Sequence, residues 1–163
     1  MQVMFEIVIH YFMEKGWPIN KHDHLPVLRF EYQGNHGRWF CYARVIEAFD
    51  QFVFLSVLPQ KTPADKRLAV AEYLTRANFG LNIGNFEMDF EDGEIRFKTS
   101  IDVSSQILTS GLIAPLTKAS FTNMDDYLPG IEAVIDGTAT AQDAYEETLE
   151  RIQEEDDEYD LIL

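Results

Sequence analysis

The sequence predicts an α+β domain in which a five-stranded antiparallel sheet packs on helices. Three strand-like segments follow one another without a helix between them, and a second pair flanks an Asp-Gly turn, so hairpins connect most of the strands. Segments with helical spacing precede, separate and follow these two groups. The predicted order is therefore α-βββ-α-ββ-α-α, and 163 residues is the length of one domain.

The first helix is predicted from Gln2 to about Lys15. Its apolar residues recur three or four positions apart, which is the spacing of one helix face, and they are Met4, Val8, Tyr11 and Phe12. Gly16 suits the left-handed position after a helix, and Pro18 prevents the helix from resuming.

Three strands are predicted next, at about residues 28–32, 39–46 and 52–58. The first alternates between apolar and charged residues, which is typical of a half-buried edge strand. The third is apolar at consecutive positions from Phe52 to Leu55. Such a strand is covered on both faces, or by the core on one face and by a partner on the other.

The remaining two strands are predicted as a hairpin around Asp92-Gly93, the favoured pair for a two-residue type I′ turn. Such a turn pairs Phe90 with Ile95 and Glu87 with Lys98. One face of this hairpin is then apolar, while the other carries pairs of opposite charge.

Three further helices are predicted. The second runs from about residue 63 to 79 with Thr62 as its N-cap. The third runs from about 110 to 135 and contains Pro129, which should kink it. The last begins after Thr140, which together with an acid three residues later is typical of a capping box.

The negative charge is concentrated near the end of the sequence. The net charge is −15, from 13 Lys and Arg against 28 Asp and Glu. Residues 143–160 contain ten carboxylates and one arginine, so this segment carries −9 and the rest of the chain −6. An acidic protein is not expected to bind nucleic acid or anionic membranes, because both interactions depend on Lys and Arg.

The acidic segment ends in apolar residues, which water would not favour. A solvated acidic run is the usual interpretation of such a segment. The alternative hypothesis is that it docks on its own body or on a neighbouring chain, by strand addition or in an apolar groove. The candidate contact residues there are Tyr159, Leu161, Ile162 and Leu163.

Several features argue against a catalytic, metal or cofactor site. His22-Asp23-His24 supplies three possible zinc ligands, but a solvated loop is the more common reading of such a segment. The glycine-containing segment 80–86 follows a helix and precedes a strand, the reverse of a phosphate-binding loop. The serines lack a nucleophile elbow. We predict a non-enzymatic protein with no cofactor and no metal.

The single cysteine, Cys41, excludes an intramolecular disulfide and lies in a strand-like segment, where a buried structural role is expected. No segment reaches the roughly 18 apolar residues of a membrane helix. The first residues lack the features of a signal peptide. A cytoplasmic protein is therefore expected.

A long continuous block and several short stretches carry a family resemblance. They are residues 71–89, residues 92–100, Trp17-Pro18, Val57-Leu58-Pro59 and Leu128-Pro129. These stretches resemble the YbjN family, sometimes labelled bacterial sensory transduction regulators. The resemblance covers roughly residues 1–136 and implies a fold like that of type III secretion chaperones, which bind extended polypeptide segments, usually as dimers. It implies no reaction, and residues 137–163 form an extension beyond it.

Together these observations predict a chaperone-like or regulatory adaptor that binds a protein segment as a homodimer. The candidate contact residues in the sheet are aromatic: Phe30, Tyr32, Trp39 and Phe54. The core is the competing destination for these side chains, and sequence alone does not separate the two roles. A small-molecule sensor is the first alternative and would need a closed pocket with a few polar groups. An enzyme is the second and would need titratable groups that converge in a cleft.

Overall fold

The computed structural model describes the backbone of residues 3–160 and the side chains of residues 3–158. The helices are α1 (Val3–Glu14), α2 (Arg67–Gly80), α3 (Ser110–Asp136) and α4 (Ala141–Asp160). The strands are β1 (Asn20–Lys21), β2 (Val27–Gln33), β3 (Arg38–Ile46), β4 (Gln51–Val57), β5 (Asn85–Met88) and β6 (Ile95–Asp102). No helix in residues 3–160 is long and apolar enough to cross a membrane.

The six strands form one antiparallel sheet in the order β1-β2-β3-β4-β6-β5. The α+β class and the antiparallel sheet are confirmed, but the predicted count of five strands is wrong. The additional strand is β1, in which Asn20 and Lys21 pair with Arg29 and Leu28. Two residues are too short to show an alternating pattern, so only the pairing with β2 identifies them as a strand.

The β5–β6 hairpin has a longer loop than the predicted two-residue turn. Met88 pairs with Ile95 and Glu87 with Arg96, a shift of two positions. The amide of Asp89 donates to the carbonyl of Glu94 at 2.9 Å, and its carboxylate accepts from the amide of Glu91 at 2.9 Å. Asp89 therefore belongs to the turn. Since strands alternate with a period of two, this shift keeps Glu87 and Met88 on their predicted faces. Phe90, predicted to pair with Ile95 on the apolar face, instead lies in the loop and is 52% exposed.

The two predicted N-caps have different outcomes. Thr140 caps α4 as predicted, because its hydroxyl accepts the amide of Asp143 at 3.1 Å. Thr62 does not cap α2. Its hydroxyl is buried without a partner among the described residues, and a short 3₁₀ turn at residues 64–66 precedes the helix.

The core lies between the helices and one face of the sheet. Alternate residues of the strands point into it, including Trp39, Cys41, Phe52 and Phe54. α3 lies across β4 and β6, and α1 packs beside it against β3. α2 and α4 pack against α3 and against each other, with Ala141, Ala144 and Thr148 of α4 buried.

Pro129 lies inside α3 and changes the hydrogen bonding of the preceding turn. Proline has no N–H group, so the carbonyl of Asp125 loses its helical donor. The carbonyls of Asp125, Asp126 and Tyr127 each accept a hydrogen bond from a side chain of another element. The three donors, in the same order, are His36, Arg151 and Tyr73.

These donors tie three parts of the fold to one turn of α3. His36 belongs to the β2–β3 loop, Arg151 to α4 and Tyr73 to α2. Nδ1 of His36 lies 3.1 Å from the carbonyl oxygen of Asp125, and the hydroxyl of Tyr73 lies 2.9 Å from the carbonyl oxygen of Tyr127. Because a carbonyl can only accept, Nδ1 of His36 carries the proton.

Candidate protein-interaction face

The sheet face opposite the helices is partly apolar and partly exposed. Successive side chains of a strand alternate between faces, so the residues between the core positions point away from the helices. Phe40, Tyr42, Val53, Leu55 and Val57 lie there, each partly exposed and none packed against the core among the described residues. We call this surface the outer face and these five residues its apolar centre.

The apolar centre is continuous across β3 and β4. Phe40 is paired with Val57 and Tyr42 with Leu55, while Val53 is paired with Arg44. Directly paired residues of an antiparallel sheet have Cβ atoms about 5 Å apart, close enough for side chains to touch. The centre therefore presents one contiguous surface.

Basic side chains surround the apolar centre, and we call them the basic rim: Arg29, Arg38, Arg44, Arg96 and Lys98. They are five of the 13 Lys and Arg residues of the protein. The acids on the same face of the strands are Glu31, Glu87 and Asp102. The outer face is thus locally positive in a protein of net charge −15.

Part of the basic rim is neutralised within the sheet. Glu87 lies between Arg96, at 2.8 Å, and Lys98. Burial raises the pKa of Glu87, but hydrogen bonds and attraction from Lys98 and Arg96 outweigh it, so the pKa is lowered overall. Arg38 pairs more loosely with Glu31, at 3.7 Å.

Arg29 and Arg44 have no ion-pair partner among residues 3–158. Both are exposed, and Arg29 is paired with Tyr42 across β2 and β3. The guanidinium of Arg29 lies 4.1 Å from the ring centroid of Phe40, a cation–π contact. These two arginines can therefore bind carboxylates next to apolar side chains.

The aromatic residues chosen from the sequence lie on the other side of the sheet, and this corrects their assignment as surface contacts. Phe30 and Trp39 are 1% exposed and Phe54 is fully buried. Tyr32 is half-buried and stacks on Phe121 with ring centroids 4.0 Å apart. All four serve the core.

Sequence reasoning missed the residues at the alternate positions of β3 and β4, among them Phe40, Tyr42 and Leu55. The signal is present in the third predicted strand, which is apolar at consecutive positions and is expected to be covered on both faces, or by the core on one face and by a partner on the other. Sequence alone does not say which of the two alternating sets faces the helices.

The four candidates in the acidic segment have no described side chains. Tyr159 lies in the last turn of α4, and Leu161, Ile162 and Leu163 fall outside the described residues. Their role as contacts stays a prediction. The side chains of residues 153–158, immediately before them, are exposed.

A group of titratable residues surrounds the Pro129 turn. The carboxylate of Asp125 accepts the amides of Asn35, at 3.0 Å, and His36, at 2.8 Å. Burial raises the pKa of Asp126 to about 6, and repulsion from Glu155 adds to the shift. The positive charge of Arg151 acts in the opposite direction but does not cancel it. The carboxylate of Asp125 is occupied by backbone amides, so this cluster holds the β2–β3 loop against α3.

The other candidate chemistry has a structural explanation. Nδ1 of His22 accepts the amides of His24 and Leu25 at 3.1 and 3.0 Å, which shapes the loop. Within residues 3–158 no three His, Cys, Asp or Glu side chains are placed to hold a metal ion. Cys41 is buried, and burial raises the pKa of its thiol to about 12.

A shallow cleft of about 410 Å³ lies between α1 and the start of α3. It is mostly apolar and opens widely to solvent, with Glu6, His10 and Ser110 among its lining residues. A small ligand is usually enclosed over most of its surface, which this cleft does not provide.

Comparisons with known proteins agree on one family. Residues 5–133 match the sequence model of YbjN, described as "Putative bacterial sensory transduction regulator". The fold is similar to that in the "Crystal structure of YbjN, a putative transcription regulator from E. coli", with 10% identity and a TM-score of 0.56. That alignment covers 82% of this chain and 90% of the other. No curated protein matches the sequence.

At 10% identity the structural likeness concerns the fold alone. β1 to β6 fall within the matched residues, whereas α4 lies after them. The predicted likeness to type III secretion chaperones stays a prediction.

Proposed function

The chain belongs to the YbjN family, and we propose that it is a regulatory adaptor that binds an acidic, apolar polypeptide segment on its outer face. The proposal assigns no reaction and no cofactor to the protein. The observation that carries it is the apolar centre, which includes Tyr42 and Leu55, with the guanidinium groups of Arg29 and Arg44 beside it. Within residues 3–158 these two groups have no ion-pair partner.

The apolar centre supports the binding of another molecule because its exposure costs free energy. Removing apolar surface from water stabilises a complex by about 25 cal/mol for each Å². Contiguous apolar patches rimmed by polar residues mark interaction sites on soluble proteins. Here the rim is basic, so the matching partner combines apolar side chains with carboxylates.

The shape of the surface favours a polypeptide over a small molecule. The outer face spans several strands, and a small ligand lying on it would leave much of its own surface in water. A peptide can extend over β3 and β4 and reach the rim on both sides. Strand addition is less suited to this sheet, because its edge strands β1 and β5 have only two and four residues.

A peptide library displayed on phage tests this proposal with the full chain immobilised at low density. We expect enriched sequences to combine Asp or Glu with Leu, Ile or aromatic residues. Selected peptides should bind the Leu55→Asp and Arg44→Glu variants at least about tenfold more weakly. The first change removes an apolar contact and the second removes a positive charge that attracts carboxylates.

Matched controls place the same changes elsewhere on the surface. Leu68 is 80% exposed on α2 and Lys118 is exposed on α3, so Leu68→Asp and Lys118→Glu should leave peptide binding unchanged. The proposal fails if the library yields no binder, or if the binders do not distinguish Leu55→Asp from Leu68→Asp.

Single-stranded DNA is the competing partner for a basic surface with aromatic side chains. The sequence predicts no nucleic-acid binding, whereas the similar solved structure is described as "a putative transcription regulator". A fluorescent oligothymidine added to the same variants separates the two. Binding of the oligonucleotide that Arg44→Glu abolishes, without any peptide binding, would overturn the proposal in favour of nucleic acid.

A further inference from the structure

We propose that the outer face binds residues 154–163 of a second copy of this chain, the last part of the acidic segment with the apolar residues after it, in a reciprocal exchange between two protomers. This inference rests on the proposed function, because it names one occupant of the same surface. It also gives a role to the segment that carries much of the protein's negative charge.

The composition of the segment matches the outer face in both chemical respects. It contains six acidic residues, four apolar or aromatic residues and no base. The acids come first and the apolar residues are gathered at its end, in Tyr159, Leu161, Ile162 and Leu163. The outer face offers an apolar centre for the second group and the basic rim for the first.

The start of the segment is available for binding. The last residue of α4 that packs against the core among the described residues is Ile152. Beyond it the side chains of residues 153–158 are exposed. Releasing or reorienting this part of the helix therefore uncovers no core residue.

The sequence of this segment disfavours a stable helix. Acidic side chains at the carboxyl end of a helix interact unfavourably with the helix dipole. Like charges three or four positions apart, such as Glu154 with Glu158, repel one another along the helix. Arginines of a binding surface offset both the repulsion between these carboxylates and their unfavourable interaction with the helix dipole. The free energy of binding is therefore more favourable for this segment than for a neutral helix end.

The placement of α4 assigns the contact to a second copy. α4 packs on α2 and α3, which lie on the core side of the sheet, so the outer face of the same chain is on the far side. Three extended residues after Asp160 reach only about 10 Å, the thickness of a single packed layer. An intramolecular contact would require α4 to unwind back toward Ile152, whereas a neighbouring molecule needs no such change.

A labelled synthetic peptide of residues 154–163 tests the contact directly. We expect it to bind the chain truncated after Gln153, with fluorescence anisotropy as the measurement. Binding should weaken at least about tenfold in Arg44→Glu and in Leu55→Asp, and also with rising NaCl, because the ion pairs are exposed. Leu68→Asp and Lys118→Glu serve as controls, and a single cooperative thermal transition of the truncated chain shows that it remains folded.

A mixing experiment tests whether the contact is made between copies. By sedimentation velocity the full chain should associate, while Leu55→Asp and the truncated chain should each be monomeric. Mixed together these two should form a heterodimer, because one supplies an intact segment and the other an intact face. A full chain that is monomeric, or a mixture that stays monomeric, would overturn the inference.

The outcomes separate this inference from the proposed function. If library peptides bind the outer face but the 154–163 peptide does not, the self-contact is wrong and the adaptor function stands. If neither binds, both are wrong. If the 154–163 peptide binds but truncation leaves the mass unchanged at that of a monomer, the contact is intramolecular and the exchange between protomers is rejected.

Discussion

Phe54 and Leu55 are consecutive residues of β4 that point to opposite faces of the sheet. Phe54 is fully buried beneath the helices, and Leu55 is partly exposed at the middle of the outer face. Both residues are large and apolar, and the covalent distance between them is one peptide bond. The difference between a core position and a candidate binding position therefore depends only on the alternation of the strand.

Truncating these two neighbours should have unequal effects on stability. Phe54→Ala should lower the free energy of unfolding by about 3–5 kcal/mol, because it leaves a cavity in a closely packed core. Leu55→Ala should lower it by less than about 1.5 kcal/mol, since water can fill the space. Urea denaturation of the chain truncated after Gln153, which lacks the segment proposed to cover the outer face, measures both. Equal losses would mean that another part of the chain covers the outer face.

Removing the hydroxyl of Tyr73 should destabilise the protein. The hydroxyl donates to the carbonyl of Tyr127 at 2.9 Å and lies 3.0 Å from the Thr148 hydroxyl, all in the interior. We expect Tyr73→Phe to cost about 1–3 kcal/mol, because the buried carbonyl is left without this donor. Tyr42→Phe, on the outer face, is the control and should change the Cm in urea very little.

A methyl group at Gly130 should be poorly tolerated. A Cβ there would lie 2.1 Å from the hydroxyl oxygen of Tyr73, which its hydrogen bonds hold in place. We expect Gly130→Ala to lower Tm by several degrees, as overpacking of about 1–3 kcal/mol does. Gly111→Ala is the matched change in the same helix, with its nearest atom at 3.7 Å, and should be neutral or stabilising.

Asp126 should make stability depend on pH in a defined direction. Burial raises its pKa to about 6, with Glu155 and Asp125 adding to the shift and Arg151 and His36 opposing it. An unfolded aspartate has a pKa of about 4, so the folded state binds the proton more tightly. The unfavourable contribution therefore accumulates as pH rises from about 4 to about 6 and is complete above that range.

The Asp126→Asn variant isolates this contribution. We expect it to be more stable than the parent by about 1 kcal/mol near pH 7.5, a figure reduced for partial exposure, and to show no gain near pH 4. Urea denaturation across this range measures the difference. Asp23→Asn, the same change at an exposed acid of the β1–β2 loop, is the control. A gain that is larger at low pH would contradict the assignment.

Most secondary-structure elements could be predicted from local patterns. The helical spacing in α1, the alternation in β2 and the hydroxyl of Thr140 before α4 are properties of a few neighbouring residues. The exceptions depend on distant contacts. β1 exists because Asn20 and Lys21 pair with β2, and Thr62 does not cap α2 although its sequence context is suitable.

The candidate site was harder to predict than the fold. The sequence marks β4 as apolar at consecutive positions, which predicts that both of its faces are covered, or that one face meets a partner. It does not identify the exposed set, and the choice of Phe30, Trp39 and Phe54 selected the core set. The basic rim was also invisible, because its members come from β2, β3 and β6 and meet only across the sheet.

The sequence by itself determined the element types, the antiparallel hairpins and the separation of charge between the body and the acidic segment, because these follow from neighbouring residues. Only the tertiary structure decided which face of the sheet is buried. It also placed His36, Tyr73 and Arg151 at the carbonyls before Pro129, and gathered positive charge on the outer face. These features depend on the side of the sheet that the helices cover, and that choice is made by packing across the whole chain.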